Sequence, residues 1–194
     1  MSNQPTPAEI AAELVTLHEF KDRKYKDAWR KRGELIGIFS NIARKYDRLV
    51  VAQTEDDPDE AEPRADTSAD LCVYSIKYVT WLIEHDPAAS TAIPVADPVQ
   101  WSGTRGHDAV APALTKLADE TTVPPADLAI AFDAIAAPFT ELERILVDNE
   151  PTTTRDKAAL AWKLAAGSLA YLWRLALDEP RAWTTFTEYV ANPA

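Results

Sequence analysis

The sequence predicts an all-α protein, a helical bundle of about five to seven helices. Three observations carry this. Only five of the 194 residues are glycine and β-branched runs are few, a composition that favours helix over strand. Apolar residues recur at three- and four-residue intervals in segment after segment. The 14 prolines fall mostly between those segments, where they punctuate helices.

Taken in order, Thr6, Pro7 and Glu9 form a helix start, with Thr6 as the cap. Ile10, Leu14, Val15 and Leu17 then give an apolar stripe to about Phe20. Residues 21–33 are strongly charged and either continue this helix or break from it, with Gly33 as the stop. From Glu34 a second helix is expected, burying Leu35, Ile38, Phe39, Ile42, Tyr46 and Leu49 on one face. An adjoining line carries Glu34, Gly37, Asn41, Lys45 and Arg48. The acidic run 54–62 reads as a solvated loop that could gate a neighbouring cation site. A third helix, about Pro63 to His85, is apolar around most of its circumference and should be central. It carries a separate line of Asp66, Asp70, Tyr74, Lys77 and Trp81. Residues 87–107 read as an irregular linker or lid, with Arg105 and His107 near its tip. Helices follow over about 108–120, from Asp127 to Leu146 with a kink or break at Pro138, and from Thr154 to Leu177. A short aromatic helix with Trp183, Phe186 and Tyr189 closes the chain. Residues 1–86 thus form a candidate binding core, on which 108–194 pack. Residues 77–87 echo 170–180 at an offset of 93. This is either a duplicated hairpin or two amphipathic helices that end alike.

The single cysteine, Cys72, excludes an intramolecular disulfide and a multi-cysteine zinc site, and its apolar surroundings predict a buried, inert thiol. No stretch reaches the roughly 18 apolar residues of a membrane span, and the polar N-terminus lacks a signal-peptide core. A cytoplasmic protein without membrane association is expected. The net charge of −11 opposes nucleic-acid binding. Half of the 20 Lys and Arg residues nevertheless lie within 21–48, which suits a small anionic ligand.

Asp66 and Asp70, at i and i+4, would point the same way from one helix. They could hold Mg²⁺ with Glu34 as a third oxygen ligand, or serve as an N-cap and a first-turn acid. Lys24, Lys26, Arg30, Lys45 and Arg48 could neutralise phosphates while Tyr25 or Trp29 stacks on a base. A solvated charged face would look the same. Lys77, within the most apolar helix, should have an anionic partner or snorkel to solvent. No phosphate-binding glycine loop, nucleophile elbow or histidine metal spacing occurs.

The order Y-x-D-A-W, R-G-E-L-x-x-x-F-x-N-I-A-R-K-x-D-R-L and D-x-x-x-D-L-x-x-Y over residues 18–84 resembles the phage and bacterial nucleotide-modification-associated domain family. More distantly it is similar to the all-α NTP pyrophosphatases, the MazG-like and dimeric dUTPase group. The matching residues include Tyr25, Asp27, Trp29, Glu34, Asn41, Lys45, Asp47, Arg48, Asp66, Asp70 and Tyr74. The resemblance implies a MazG-like bundle in which acids from two helices bind Mg²⁺, and Mg²⁺ holds a nucleoside triphosphate while pyrophosphate is released. Asp66 and Asp70 match one acidic pair. The other departs from the pattern, since Glu34 stands with Gly37 and Ile38. The resemblance implies metal and catalytic roles for Glu34, Asp66 and Asp70, and nucleotide contacts from Tyr25, Trp29, Asn41, Lys45, Arg48, Tyr74 and Lys77. A non-catalytic helical interaction module is the competing expectation. The C-terminal helices would complete the bundle or form a homodimer interface.

Overall fold

The computed structural model describes residues 4–54, 61–94 and 108–191. The expected Arg105 and His107 lid and most of the acidic run 54–62 lie outside them. Among the described residues the chain is helical and has no strand. The helices are α1 (Pro7–Tyr25), α2 (Ser40–Thr54), α3 (Ala61–His85), α4 (Val110–Glu120), α5 (Leu128–Val147), α6 (Thr154–Asp178) and α7 (Pro180–Ala191). None is long and apolar enough to cross a membrane.

The cap of α1 is the one the sequence predicts. The Thr6 hydroxyl accepts from the Glu9 N–H and the Glu9 carboxylate accepts from the Thr6 N–H, satisfying two otherwise unpaired helix-end donors. The charged continuation extends α1 to Tyr25, where Lys26 turns to φ 48° and a 3₁₀ turn follows over Lys26–Arg30. Gly33 stops it at φ 74°, a backbone state that costs glycine little.

The next segment corrects the expected second helix. Glu34–Phe39 is π-helical before α2 continues it from Ser40. A π-type turn adds a residue to the α register, a slip of about 100°. Residues before it therefore leave the face that the 3.6-residue period assigns them. Leu35, expected in the core, is 47 % exposed, whereas Ile38, Phe39, Ile42 and Leu49 are buried.

α3 is central as expected, with Leu71, Ile76, Tyr78, Val79 and Leu82 buried. It begins at Ala61, so Asp66 is inside the helix and is not its N-cap. Pro138 is buried within α5, which runs through it without the break that is one of the two expectations. Residues Pro87–Ala92 form a 3₁₀ helix rather than irregular chain. One continuous apolar core runs from Ile10 on α1 to Val190 on α7. Cys72 lies in it with its thiol on the Ala165 carbonyl, and burial pushes the thiol pKa far up.

The echo at offset 93 extends to a whole helical hairpin. α6 starts and ends 93 residues after α3, and α5 covers the counterpart of residues 35–54. Phe39, Ile42 and Leu49 recur as Phe132, Ile135 and Leu142; Leu71, Ser75, Tyr78 and Leu82 recur as Leu164, Ser168, Tyr171 and Leu175. The contacts repeat as well. Ser75 donates to the Leu71 carbonyl as Ser168 does to that of Leu164. Tyr46 stacks on its own counterpart Phe139 at 3.7 Å, flanked by Phe39–Phe139 and Tyr46–Phe132, both at 5.8 Å. Cys72 likewise meets its counterpart Ala165. Contacts between counterparts, with matched pairs on either side, are what a two-fold relation between the hairpins produces. The duplication reading therefore holds over the reading of two helices that merely end alike.

Candidate functional site: a cationic, aromatic-walled cavity

The two hairpins differ at three matched positions. In the second, the Ala134 carbonyl of α5 lies so close to Gly167 of α6 that a Cβ there would stand 2.6 Å from the oxygen. Pro138 has no N–H to donate to that carbonyl. In the first hairpin the counterparts are Asn41 and Tyr74, with Lys45 in place of Pro138. Asn41 and Tyr74 face a space that the end of α1 and the following 3₁₀ turn also line. This space is a cavity of about 440 Å³, within the range of small-molecule sites.

Its walls carry Lys21, Lys26, Arg44 and Lys77 against one carboxylate, Asp70, with Tyr25, Trp29, Tyr74 and Asn41 between them. Lys77 is buried, with its Nζ 5.5 Å from the Trp29 ring centre and 5.7 Å from that of Tyr74. Its expected anionic partner is Asp22, at 3.8 Å. Cation–π contact of this kind stabilises a desolvated ammonium. Trp29 is buried, while Tyr25 is 59 % exposed at the rim and is the ring open for stacking. Asn41 donates to the Gly37 carbonyl at 2.6 Å, which anchors it to the π turn.

Beneath the cavity lies a four-residue ion network. Lys21 donates to Asp66 at 3.1 Å and to Asp70 at 2.6 Å, and Lys45 donates to the other oxygen of Asp70. Burial alone would raise the Asp70 pKa, but the two ammonium groups and their hydrogen bonds outweigh it and hold the carboxyl below its usual range. Burial likewise opposes the charge on Lys21, and Asp70 and Asp66 together outweigh it and raise that pKa.

These shifts predict how stability varies with pH. Asp70, with its pKa lowered, contributes fully above the ordinary 3.8, and its contribution is lost as pH falls through the folded value. Lys21, with its pKa raised, contributes fully below 10.5, and its contribution is lost as pH rises through the folded value. The contributions of these two groups should therefore be constant between those limits and be lost on either side, as urea unfolding across pH can measure. Asp70→Asn should remove the Asp70 share of the acid decline.

Of the expected site residues, Tyr25, Trp29, Asn41, Asp70, Tyr74 and Lys77 line the cavity and Lys45 supports it from below. Asp66 joins through Lys21. Arg48 is exposed on α2 and does not line it. Arg30 turns away to Glu84. Glu34 does not join the aspartates. Its carboxylate accepts from Tyr78 and from Lys157, each at 2.5 Å, and Tyr78 lies about 12 Å beyond Asp70 along α3. The slip at the π turn accounts for this, because it carries Glu34 off the line of Asn41 and Lys45.

Lys21 and Arg44 are the site residues that the sequence reading missed. The signal for Lys21 was present, since Leu14, His18, Lys21 and Tyr25 follow one another at helical spacing along α1.

The acids that the resemblance assigns to Mg²⁺ do not fit that ion as arranged. Both Asp70 oxygens and one Asp66 oxygen accept from lysines, and Glu34 is held elsewhere. Among the described residues no group of three or more His, Cys, Asp or Glu side chains is placed to hold a metal. Set against family models, curated proteins and solved structures, the chain matches none.

Proposed function

We propose that the cavity binds a nucleotide or another phosphorylated small molecule that carries a planar ring. The observation that supports this best is the charge of the walls: four cationic side chains face one carboxylate in a protein whose net charge is −11. Phosphate suits Lys77, Lys26 and Arg44, and a planar base suits Tyr25. The resemblance over residues 18–84 points to the same ligand class. Its pyrophosphohydrolase chemistry has less support, because the carboxylates it would use are neutralised by lysines.

Calorimetric titration with nucleoside mono- and triphosphates tests this. Binding is expected, with a rise in melting temperature at saturation. Lys77→Met should weaken it about tenfold or more, the effect of losing one charge-assisted hydrogen bond. An interaction module would show neither heat nor a thermal shift with any of these ligands, and that result would count against the proposal.

A further inference from the structure

We propose that Lys21 is a built-in counter-cation, occupying the place between Asp66 and Asp70 that a divalent ion would take, so that phosphate binding in this cavity is independent of divalent metal. The inference rests on the cavity being a phosphate site, as proposed above. It follows from how the lysine donors are used. The Lys21 ammonium has three N–H groups. Two go to Asp66 and Asp70 at 3.1 and 2.6 Å, and Lys21 itself lines the cavity, which leaves one N–H for a ligand oxygen.

The opposite side of Asp70 is closed by Lys45, whose side chain is only 6 % exposed. Two ammonium groups and two carboxylates thus balance each other inside the wall. A divalent ion could sit between the two carboxylates only by displacing Lys21 from both, and it could take the second oxygen of Asp70 only by stranding Lys45, a buried ammonium whose loss of its partner is strongly unfavourable. No third carboxylate offsets that cost, because Glu34 is held by Tyr78 and Lys157. The network as a whole is neutral, and through Lys21 it presents a hydrogen-bond donor to a ligand. With the aspartates balanced, Lys21 joins Lys77, Lys26 and Arg44 in facing the cavity.

The test is calorimetric titration of the full chain with AMP, a probe that itself chelates Mg²⁺ only weakly, in EDTA and in excess Mg²⁺. The expected result is a Kd in EDTA within about threefold of that in Mg²⁺, a gap small on the scale of 1.4 kcal/mol per tenfold. AMP binding that appears only with Mg²⁺ overturns the inference and leaves the phosphate site standing. No binding in either buffer overturns both. Lys21→Met separates the roles further. It should weaken AMP binding in EDTA by about tenfold, the loss of one charge-assisted hydrogen bond, and Mg²⁺ should restore part of that loss by binding the freed aspartates. Undiminished binding of AMP to this variant in EDTA would overturn the inference.

Discussion

Asp70→Ala should lower the melting temperature by about 6–12 °C, among the largest losses from any single polar substitution in this chain. The substitution leaves Lys45 facing no carboxylate at a position where its side chain is 6 % exposed, and removes the nearer of the two partners of Lys21. Breaking a buried ion pair from one side costs about 3–5 kcal/mol, and a chain of this size loses about 2–4 °C per kcal/mol. The low end of that product is expected because Lys21, 25 % exposed, can turn to solvent and keeps Asp66. The double substitution Asp70→Leu with Lys45→Met should recover most of the loss, since neither charge then remains buried. Differential scanning calorimetry of the single and double variants measures both. A double variant no more stable than Asp70→Ala would mean that packing, rather than the stranded Lys45 charge, sets the cost.

The ends of the helices were legible in the sequence because they depend on local chemistry. Thr6 with Glu9, Gly33, and the start of α6 just after Thr153 each act over three or four residues. The pairing of charges was not legible, because it depends on which helices meet. Lys21 reaches across 45 and 49 residues to Asp66 and Asp70, and nothing near any of them in sequence announces it. The π turn at Glu34–Phe39 is a different kind of miss. Its residues Leu35 and Ile38 fit a 3.6-residue period well, and the turn packs closely on the chain before it, where a Cβ on Gly37 would stand 3.1 Å from the Trp29 carbonyl oxygen. The slip at this turn accounts for both the exposed Leu35 and the separation of Glu34 from the aspartates. Of the aromatic and cationic residues singled out in the sequence, Tyr25, Trp29, Tyr74 and Lys77 line the cavity. The local pattern could not tell that Asp70 is a lysine's partner before it is anything else.

Gly167→Leu tests how tightly α5 and α6 must pack in the second hairpin, and it should destabilise the protein by about 3 kcal/mol or more. At this position α5 and α6 approach backbone to backbone: a Cβ would stand 2.6 Å from the Ala134 oxygen and 2.9 Å from its carbonyl carbon. Those atoms belong to a helix and cannot yield as a flexible side chain would. Overpacking of a tight contact costs about 1–3 kcal/mol, and more where the backbone must move. Gly167→Ala provides the calibrated comparison. On propensity alone it should gain about 1 kcal/mol in a helix interior, so a net loss isolates the steric cost, and a net gain in urea unfolding would show that the two helices are not held in contact here. The counterpart change, Tyr74→Gly, does not reproduce the close approach by itself. Lys45, unlike Pro138, has an N–H to donate to the carbonyl of Asn41, and Asn41 is larger than Ala134. Side-chain volume differs between the hairpins at three matched places, where Asn41, Lys45 and Tyr74 of the first stand for Ala134, Pro138 and Gly167 of the second. Loss of stability in Gly167→Leu, with the cationic cavity between α1, α2 and α3 unaffected, is the expected outcome.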